Sequence, residues 1–189
     1  MATTTITTPR RLLRINLIGG PCVGKSTTAH GIMYDLGCRG LDAEHITDVG
    51  RMLYVMHRCG SSRLLQRNYI NAWIDWEQRA LERGFLVVNE SPIYLNAFYL
   101  YRSPPDDTVG GPTPAEFMQK AKDIAQHFPE KNIYISRAFE YNDFGRFQDE
   151  AGAREIDADL LQWLTNHGVP FEVMDHGSAR KAAACFQDS

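Results

Sequence analysis

The fold can be predicted from one stretch of the chain, Gly19-Gly20-Pro21-Cys22-Val23-Gly24-Lys25-Ser26-Thr27. Its spacing fits G-x-x-x-x-G-K-[ST], the pattern of a phosphate-binding loop, or P-loop. Glycines allow turn conformations that a Cβ would oppose, and successive backbone N–H groups then form a concave site for phosphate oxygens. The pattern predicts that Lys25 reaches the β- and γ-phosphates of ATP and that the Ser26 hydroxyl ligates Mg²⁺. The residues expected to bind ATP are Gly20, Pro21, Cys22, Val23, Gly24, Lys25, Ser26 and Thr27.

The flanks of this loop support the match. Residues 12–18 form a short apolar run with β-branched members, which is typical of a buried strand. Residues 26–36 carry Ala29, Ile32, Met33 and Leu36 at helical spacing. Strand, glycine loop and helix therefore follow one another in the order that a P-loop requires.

The remaining chain alternates in the same way between strand-like and helix-like segments. Strands are predicted over 41–47, 85–88, 132–136 and 171–174. Helices are predicted from Asp48 onward and over 62–83, 93–101, 114–128, 149–167 and 179–186. In the helix over 62–83, we expect a core-facing stripe of Leu65, Tyr69, Trp73, Trp76 and Ala80.

This alternation predicts an α/β fold, a three-layer sandwich with a parallel sheet, in which crossovers are right-handed. We expect one domain over residues 1–189. Within it we expect a flexible N-terminus over 1–11, a Ser-, Pro- and Gly-rich loop over 102–114 and a polar segment over 138–148.

Composition narrows the class of protein. The hydrophobic fraction of 43% and the charged fraction of 23% are typical of a globular protein, and no apolar run is long enough to span a bilayer. The N-terminus lacks the apolar core of a secretory signal, and the four cysteines have no metal-binding spacing. We therefore expect free thiols and a cytoplasmic location without membrane association.

The net charge of −3 argues against a large, non-specific nucleic-acid surface. A local basic groove remains compatible with it, because arginines crowd one region: Arg51, Arg58, Arg63, Arg67, Arg79 and Arg83. Such a cluster can bind phosphates, or it can form a solvated helical face. Both interpretations stay open from the sequence.

Four segments are expected to meet beyond the carboxyl ends of the strands, where ligands of such sheets bind. They are the P-loop, the stretch near Asp48, Asn89-Glu90-Ser91, and Arg137. Glu90 can act on Mg²⁺ through a bound water or serve as the catalytic base, or it can cap a helix. Asp48 is the other candidate base, and its alternative role is also a helix cap. Arg137 and Arg146 flank the polar segment and can neutralise charge on a triphosphate, although Arg146 also suits a surface turn.

The acceptor of a phosphoryl group would need its own contacts. Arg51 can bind phosphates, Tyr69 or Trp73 can stack on a base, and Ser91 lies beside Glu90 in the sequence. Tryptophans at helical spacing are more often core residues, which is the alternative for Trp73.

Three blocks of the chain together resemble the small P-loop kinases of bacteriophages, which are related to nucleoside and nucleotide kinases. The blocks are Ile15–Ala29 around the P-loop, Asn89-Glu90-Ser91-Pro92-Ile93-Tyr94-Leu95, and Arg137 with Tyr141, Gly145-Arg146, Gln148, Ala153 and Glu155-Ile156-Asp157. The third block is similar to the lid and following helix of that group. The group usually has Asp where Glu90 stands and often has Glu where Asp48 stands.

The resemblance implies a kinase that uses ATP and Mg²⁺. One branch of the group phosphorylates the 5-hydroxymethyl group of 5-hydroxymethyluracil in DNA, during thymine hypermodification, and this pyrimidine is the first acceptor we consider. Free nucleosides or nucleoside monophosphates are the alternative acceptors, and a sugar or vitamin-like nucleoside is a further one. An NTP-hydrolysing switch that binds a protein partner is the alternative of another class. Assembly as a homodimer is compatible with each interpretation.

Overall fold

The computed structural model describes residues 12–48, 63–103, 112–138 and 149–186, with side chains except those of 63–69 and 183. These residues include a five-stranded sheet with the order β2-β3-β1-β4-β5, and every neighbouring pair is parallel. The strands are β1 (Arg14–Ile18), β2 (Ala43–Ile46), β3 (Leu86–Asn89), β4 (Glu130–Ile135) and β5 (Glu172–Met174). The first strand of the chain is therefore the central strand of the sheet.

Helices cover both faces of this sheet. They are α1 (Lys25–Cys38), α2 (Arg63–Glu82), α3 (Ile93–Arg102), α4 (Pro114–His127), α5 (Glu150–Asn166) and α6 (His176–Arg180), followed by a 3₁₀ turn at Lys181–Cys185. The predicted α/β sandwich with a parallel P-loop-type sheet is confirmed.

An apolar core lies on each face of the sheet, between the sheet and the helices that cover it. There are two cores because alternate residues of a strand point to opposite faces. Ile18 and Val87 pack with apolar residues of α2, α3, α4 and α5 on one face. Ile15 and Leu17 pack on the other face with α1 and with Ala179 and Phe186 at the C-terminal end. All five residues of β1 are buried, as expected for a strand covered on both sides.

Helix starts follow local capping chemistry. The Thr113 hydroxyl accepts a hydrogen bond from the Glu116 backbone N–H, the Glu116 carboxylate accepts one from the Thr113 N–H, and Pro114 occupies the first turn. Asp149 accepts a hydrogen bond from the Gly152 N–H at the start of α5. The predicted helix starts at 114 and 149 therefore agree with the structure to within one residue.

One packing prediction is wrong. Trp76 was expected in the buried stripe of α2, but it is 37% exposed. Among the described side chains of α2, the buried ones are Ile70, Ile74, Glu77, Ala80 and Leu81, so Ala80 is buried as predicted. Trp76 lies on the flank of the buried stripe, where its indole N–H donates to Glu44.

Some boundaries also differ from the prediction. The tail helix was expected over 179–186, yet α6 starts at His176, where the Asp175 carboxylate caps it by accepting from the Ser178 N–H. Arg102 belongs to α3 rather than to the predicted loop. Residues 1–11, 104–111 and 139–148, and the helix predicted to follow Asp48, lie outside the described residues.

Candidate functional site

The P-loop joins β1 to α1 and has the backbone conformation that its glycines allow. Gly24, which precedes α1, has a φ of 93°, a left-handed value that residues with a Cβ rarely adopt. Cys22 also has a positive φ, of 59°. These turns bring the loop around the N-terminus of α1, where the backbone N–H groups of the first turn and the helix dipole favour an anion.

Lys25 lies within this loop and is 8% exposed. Its Nζ donates to the carbonyl oxygens of Gly19 and Gly20, each at 2.9 Å. The ammonium is thus held on the loop itself, next to the N-terminus of α1, and its contact with phosphate stays a prediction. The structure therefore brings Lys25, Gly20 and Gly24 together in one turn.

Ser26, Glu90 and His45 form a hydrogen-bonded cluster at the carboxyl edge of the sheet. The Ser26 hydroxyl donates to Glu90 Oε2 at 2.5 Å, and His45 Nε2 lies 3.1 Å from Glu90 Oε1. Glu90 is 3% exposed and directly follows β3. This cluster joins three elements that are far apart in sequence, since Ser26 is in α1 and His45 is in β2.

The pKa of Glu90 lies below its ordinary value. Burial raises the pKa, but the hydrogen bonds from His45 and Ser26 lower it, together with the nearby charges of His45 and Lys25. The balance keeps Glu90 ionised at neutral pH. A buried carboxylate that stays charged beside a P-loop is suited to act on a cation.

The side chains fit a Mg²⁺ ion. A hydroxyl and a carboxylate supply hard oxygen ligands, and Mg²⁺ is usually held by one or two carboxylates, waters and substrate phosphates. Across the four described ranges, no group of three or more His, Cys, Asp and Glu side chains could hold a metal by itself. The donor set therefore suits an ion that arrives with a nucleotide rather than an all-protein metal site.

Arg137 follows β4 and is paired with Asp157 of α5. Arg137 Nε donates to Asp157 Oδ2 at 2.8 Å, and Arg137 Nη2 donates to the Pro21 carbonyl at 2.8 Å. Asp157 also approaches the loop closely, because a Cβ on Gly20 would overlap with Asp157 Oδ1. The pair braces the first turn of the P-loop, while a role for Arg137 on the triphosphate stays a prediction.

Sequence reasoning did not single out Asp157 as a site residue. A signal was present, since Asp157 lies four residues after Ala153 and three before Leu160, both of which are buried in α5. A carboxylate next to an apolar stripe needs a partner, because burying a charge alone is costly. The same argument applies to Glu77, a buried carboxylate in α2.

The edge strand β2 forms the other side of the crevice. Asp48 lies two residues beyond the end of β2 and is half-buried. Trp73 Nε1 of α2 donates to the Thr47 carbonyl at 3.2 Å, so its indole lies beside the residue that precedes Asp48. Trp73 and Trp76 pack edge to face with ring centroids 5.9 Å apart. We call this group, Thr47, Asp48, Trp73 and Trp76, the β2 side, and residues 19–27 with Arg137 and Asp157 the P-loop side.

Several predicted site residues cannot be compared with the structure. Arg51, Arg58 and Arg146 lie outside the described residues, as do the side chains of Arg63, Arg67 and Tyr69. Ser91 is described and is 4% exposed, and its hydroxyl donates to Asn96 Oδ1 at 3.4 Å. Its predicted contact with a substrate stays a prediction.

The structure also bears on the cysteines and on helices that could span a membrane. None of the cysteines within the described ranges, Cys22, Cys38 and Cys185, forms a disulfide. Among the helices that the structure describes, none combines the length and the apolar character needed to cross a bilayer.

Comparisons with known proteins add structural neighbours but no family. No protein-family model matches the chain, and no curated protein matches it in sequence. The solved structures that are similar include the YorR protein of Bacillus subtilis, in complex with phosphorylated GDP. Its TM-score is 0.51 at 16% identity, over 90% of this chain and 91% of that one.

The NadR protein in complex with NR is a second neighbour, with a TM-score of 0.57 at 14% identity. The match covers 92% of this chain but 50% of NadR, so the chain spans about half the length of that protein. At these identities the likeness concerns the fold. The fold is that of P-loop, nucleotide-kinase-like proteins.

Proposed function

We propose that this protein is a kinase that uses Mg²⁺ and ATP to phosphorylate a hydroxyl group of a pyrimidine acceptor. The observation that carries the proposal is the contact between Ser26 and Glu90, with an O–O distance of 2.5 Å. It joins the P-loop helix to the end of a buried parallel strand, at the edge of the sheet where ligands bind. Lys25 lies next to Ser26 in the same turn, so positive charge and a carboxylate are available on one site.

The reaction requires one bond to form and one to break. The acceptor oxygen bonds to the γ-phosphorus while the bond from that phosphorus to the β–γ bridging oxygen breaks, and ADP leaves with the electron pair. The Lys25 ammonium and the backbone N–H groups of the loop stabilise the charge on the phosphate oxygens. The proton of the acceptor hydroxyl passes to a carboxylate.

Asp48 is the better candidate for that carboxylate. Glu90 contacts Ser26 of the P-loop helix, on the side where the metal and phosphates are proposed to bind, whereas Asp48 follows β2 on the other side. An acceptor that enters between the two sides would meet Asp48 with its hydroxyl. We therefore assign Asp48 as the base and Glu90 to the metal.

Ser26 and Glu90 are the residues that would hold Mg²⁺, Ser26 directly and Glu90 directly or through a water. When it is bound, the ion would neutralise negative charge on the β- and γ-phosphates. The low pKa of Glu90 supports this assignment, because a ligand that is already ionised requires no proton loss on binding.

The acceptor is proposed from different evidence. The resemblance to phage kinases favours 5-hydroxymethyluracil in DNA, and the Trp73 indole beside Thr47 offers an aromatic ring near the proposed base. The ligands of the two structural neighbours, phosphorylated GDP and NR, instead favour a free nucleoside or nucleotide.

The two acceptor classes, DNA and free nucleotides, differ in how strongly their binding depends on salt. A base in DNA must leave its stack, and DNA binding weakens steeply with salt, whereas binding of a monophosphate does so only slightly.

The experiment offers γ-labelled ATP with each acceptor in parallel, hydroxymethylated duplex DNA and free pyrimidine nucleosides or monophosphates. Transfer of label to one of them, dependent on Mg²⁺, supports the kinase proposal, and the salt dependence of KM then identifies the acceptor class. Phosphate release at the same rate with and without every acceptor contradicts it and favours an NTP-hydrolysing switch. Lack of both transfer and ATP binding would refute the ATP site itself.

A further inference from the structure

Asn89 holds the turn that carries Glu90. It is the last residue of β3 and is 2% exposed. Its Oδ1 accepts a hydrogen bond from the Ser91 N–H at 2.8 Å, so the side chain of Asn89 closes a short turn around Glu90. The direction of the Glu90 side chain therefore depends on the amide of its neighbour.

Asn89 is itself anchored to a helix. Its Nδ2 donates to Glu77 Oε1 of α2 at 3.1 Å, and the same carboxylate oxygen accepts from Arg14 Nη1 at 3.1 Å. Glu77 is 1% exposed and Arg14 is 2% exposed. Replacing buried ion pairs by apolar residues is often neutral or stabilising, so burial alone gives no reason for a carboxylate at this position. Its contact with Asn89 suggests a geometric reason.

The far side of the turn is held by another buried amide. Asn96 is 5% exposed, and its Nδ2 donates to the carbonyl oxygens of Ser91 at 2.6 Å and Pro92 at 3.2 Å. The Glu90 N–H donates to the Ile46 carbonyl of β2 at 3.0 Å. The backbone on both sides of Glu90 is thus held by hydrogen bonds, and the Asn89 side chain supplies the one that spans Glu90.

We propose that Asn89, anchored by Glu77, is a positioning residue that aims the Glu90 carboxylate at Ser26. This inference rests on the proposed kinase function, and it adds a connection between α2, the helix that carries Trp73, and the metal side of the site. Without the Asn89 amide the turn relaxes and the carboxylate moves. A misplacement of about 1 Å at a reacting site can cost about 100-fold in rate.

The test compares two alanine variants, Asn89→Ala and Asn132→Ala. Asn132 is a matched control because it is also a strand asparagine, 4% exposed, on the same face of the sheet. The Asn132 amide donates to Glu130 and to the Pro170 carbonyl, and it accepts a hydrogen bond from Asn16. It makes none of these hydrogen bonds with the turn that carries Glu90. Both variants lose a buried amide, so a general loss of stability would affect both.

We expect Asn89→Ala to lower kcat about 100-fold with little change in the KM for ATP, because a displaced carboxylate affects the chemical step more than nucleotide binding. Asn132→Ala should keep a kcat close to that of the wild type when assayed below its melting temperature. Equal losses of kcat in the two variants would overturn the proposal.

A conservative variant provides the rescue. Asn89→Thr keeps an oxygen that can accept from the Ser91 N–H, as Thr does in short turns, and a β-branched residue suits a strand. It should recover about tenfold or more of the rate lost in Asn89→Ala, since the turn is re-formed. If Asn89→Thr is no faster than Asn89→Ala, positioning by the turn is refuted.

Crystal structures of Asn89→Ala and Asn132→Ala separate this inference from the proposed function. The hydrogen bond from Ser26 Oγ to Glu90 should be lost in the first variant and kept in the second. A wild-type protein that transfers no phosphate refutes the kinase proposal, while the two structures still decide whether Asn89 aims Glu90. An intact Ser26–Glu90 contact in Asn89→Ala overturns the positioning role regardless of activity.

Discussion

The P-loop side of the crevice extends from β1, in which all five residues are buried, whereas the β2 side extends from an edge strand in which only Ile46 is buried. The P-loop side is braced by Lys25 on two carbonyls and by Arg137 on Asp157 and Pro21. On the β2 side, the Trp73 indole donates a hydrogen bond to the Thr47 carbonyl, at 3.2 Å.

This difference suggests a division of labour. A triphosphate is the same in every kinase reaction, so a rigid site made largely of backbone groups suits it. Acceptors differ in shape, and a half-buried edge with aromatic side chains can be changed without disturbing the central strand. We therefore expect substitutions on the P-loop side to affect catalysis with every acceptor, and substitution of Trp73 on the β2 side to affect one acceptor.

The largest effect is expected for Lys25→Ala. It removes the ammonium that we propose acts on the phosphates, so kcat should fall about 1,000-fold or more with every acceptor. Circular dichroism should show an unchanged fold. Lys131→Ala is the control, since Lys131 pairs with Glu172 far from the loop and its loss should not affect transfer. Near-normal turnover of Lys25→Ala would show that the P-loop side is not the phosphate site.

Glu90→Gln should be the next most severe change. The amide keeps the size of the side chain but not its charge, so kcat should fall about 100-fold while ATP affinity changes little. Glu44→Gln serves as control, because the new amide can still accept the hydrogen bond from Trp76. An unchanged kcat for Glu90→Gln would leave Glu90 only a structural role in its turn.

Trp73→Phe tests the β2 side. Phenylalanine retains a ring but loses the hydrogen bond to Thr47, so the KM for the acceptor should rise about three- to tenfold. The KM for ATP should not change. Trp76→Phe loses a similar bond, to Glu44, and should leave the acceptor KM near the wild-type value. Equal effects of both substitutions would mean that the indoles stabilise the edge rather than contact an acceptor.

The Arg137–Asp157 pair is expected to contribute to both stability and nucleotide binding. Asp157→Asn should lower the free energy of unfolding by about 1–3 kcal/mol, because it leaves a largely buried guanidinium without its counter-charge. The KM for ATP should rise modestly as the loop loosens. A double-mutant cycle with Arg137→Ala should show coupling, whereas Arg180→Ala, which breaks an exposed pair with Asp35, should change stability little. Additive effects would contradict the bracing role.

The smallest effect concerns Tyr134, whose hydroxyl donates to the Asp157 carbonyl at 3.0 Å. Burial, followed by the charge of Asp157, raises the pKa of Tyr134 from 10.0 to about 12. The unfolded state therefore ionises first, so the contribution of the Tyr134 hydroxyl is complete below pH 10 and is lost as the pH rises toward 12.

Urea unfolding of the wild type and Tyr134→Phe should accordingly differ by about 1 kcal/mol at pH 8, with a smaller difference at higher pH. Tyr101→Phe is the control, because Tyr101 is 64% exposed. If the stability advantage of the wild type over Tyr134→Phe increased between pH 10 and 12, that result would contradict the raised pKa.

Local patterns in the chain predicted much of the fold. Pro114, Asp149 and the apolar run of β1 have effects that act within a few residues, and the elements predicted from them agree with the structure. Trp76 was assigned to the wrong face, since a helical stripe with aromatic residues on its flank has more than one possible buried side. Which side is buried depends on the sheet beneath it.

The candidate site was predictable in part for the same reason. Lys25 and Ser26 follow from spacing along the chain, because the P-loop is a local turn. Glu77 and Asp157 were not predicted to take part, and the contact of Asn89 with Glu77 was not predicted either, since the partners of these residues lie 12 to 63 residues away.

The sequence alone determined that backbone N–H groups, one ammonium and a hydroxyl lie together in one loop, because a nine-residue stretch carries all of them. Only the tertiary structure decided which distant groups complete the site. Parallel pairing of β1 with β3 and of β3 with β2 brings Glu90 and His45 to Ser26, and no local pattern encodes that juxtaposition. Side-chain contacts between strands depend on sheet order and register, which the whole chain determines together.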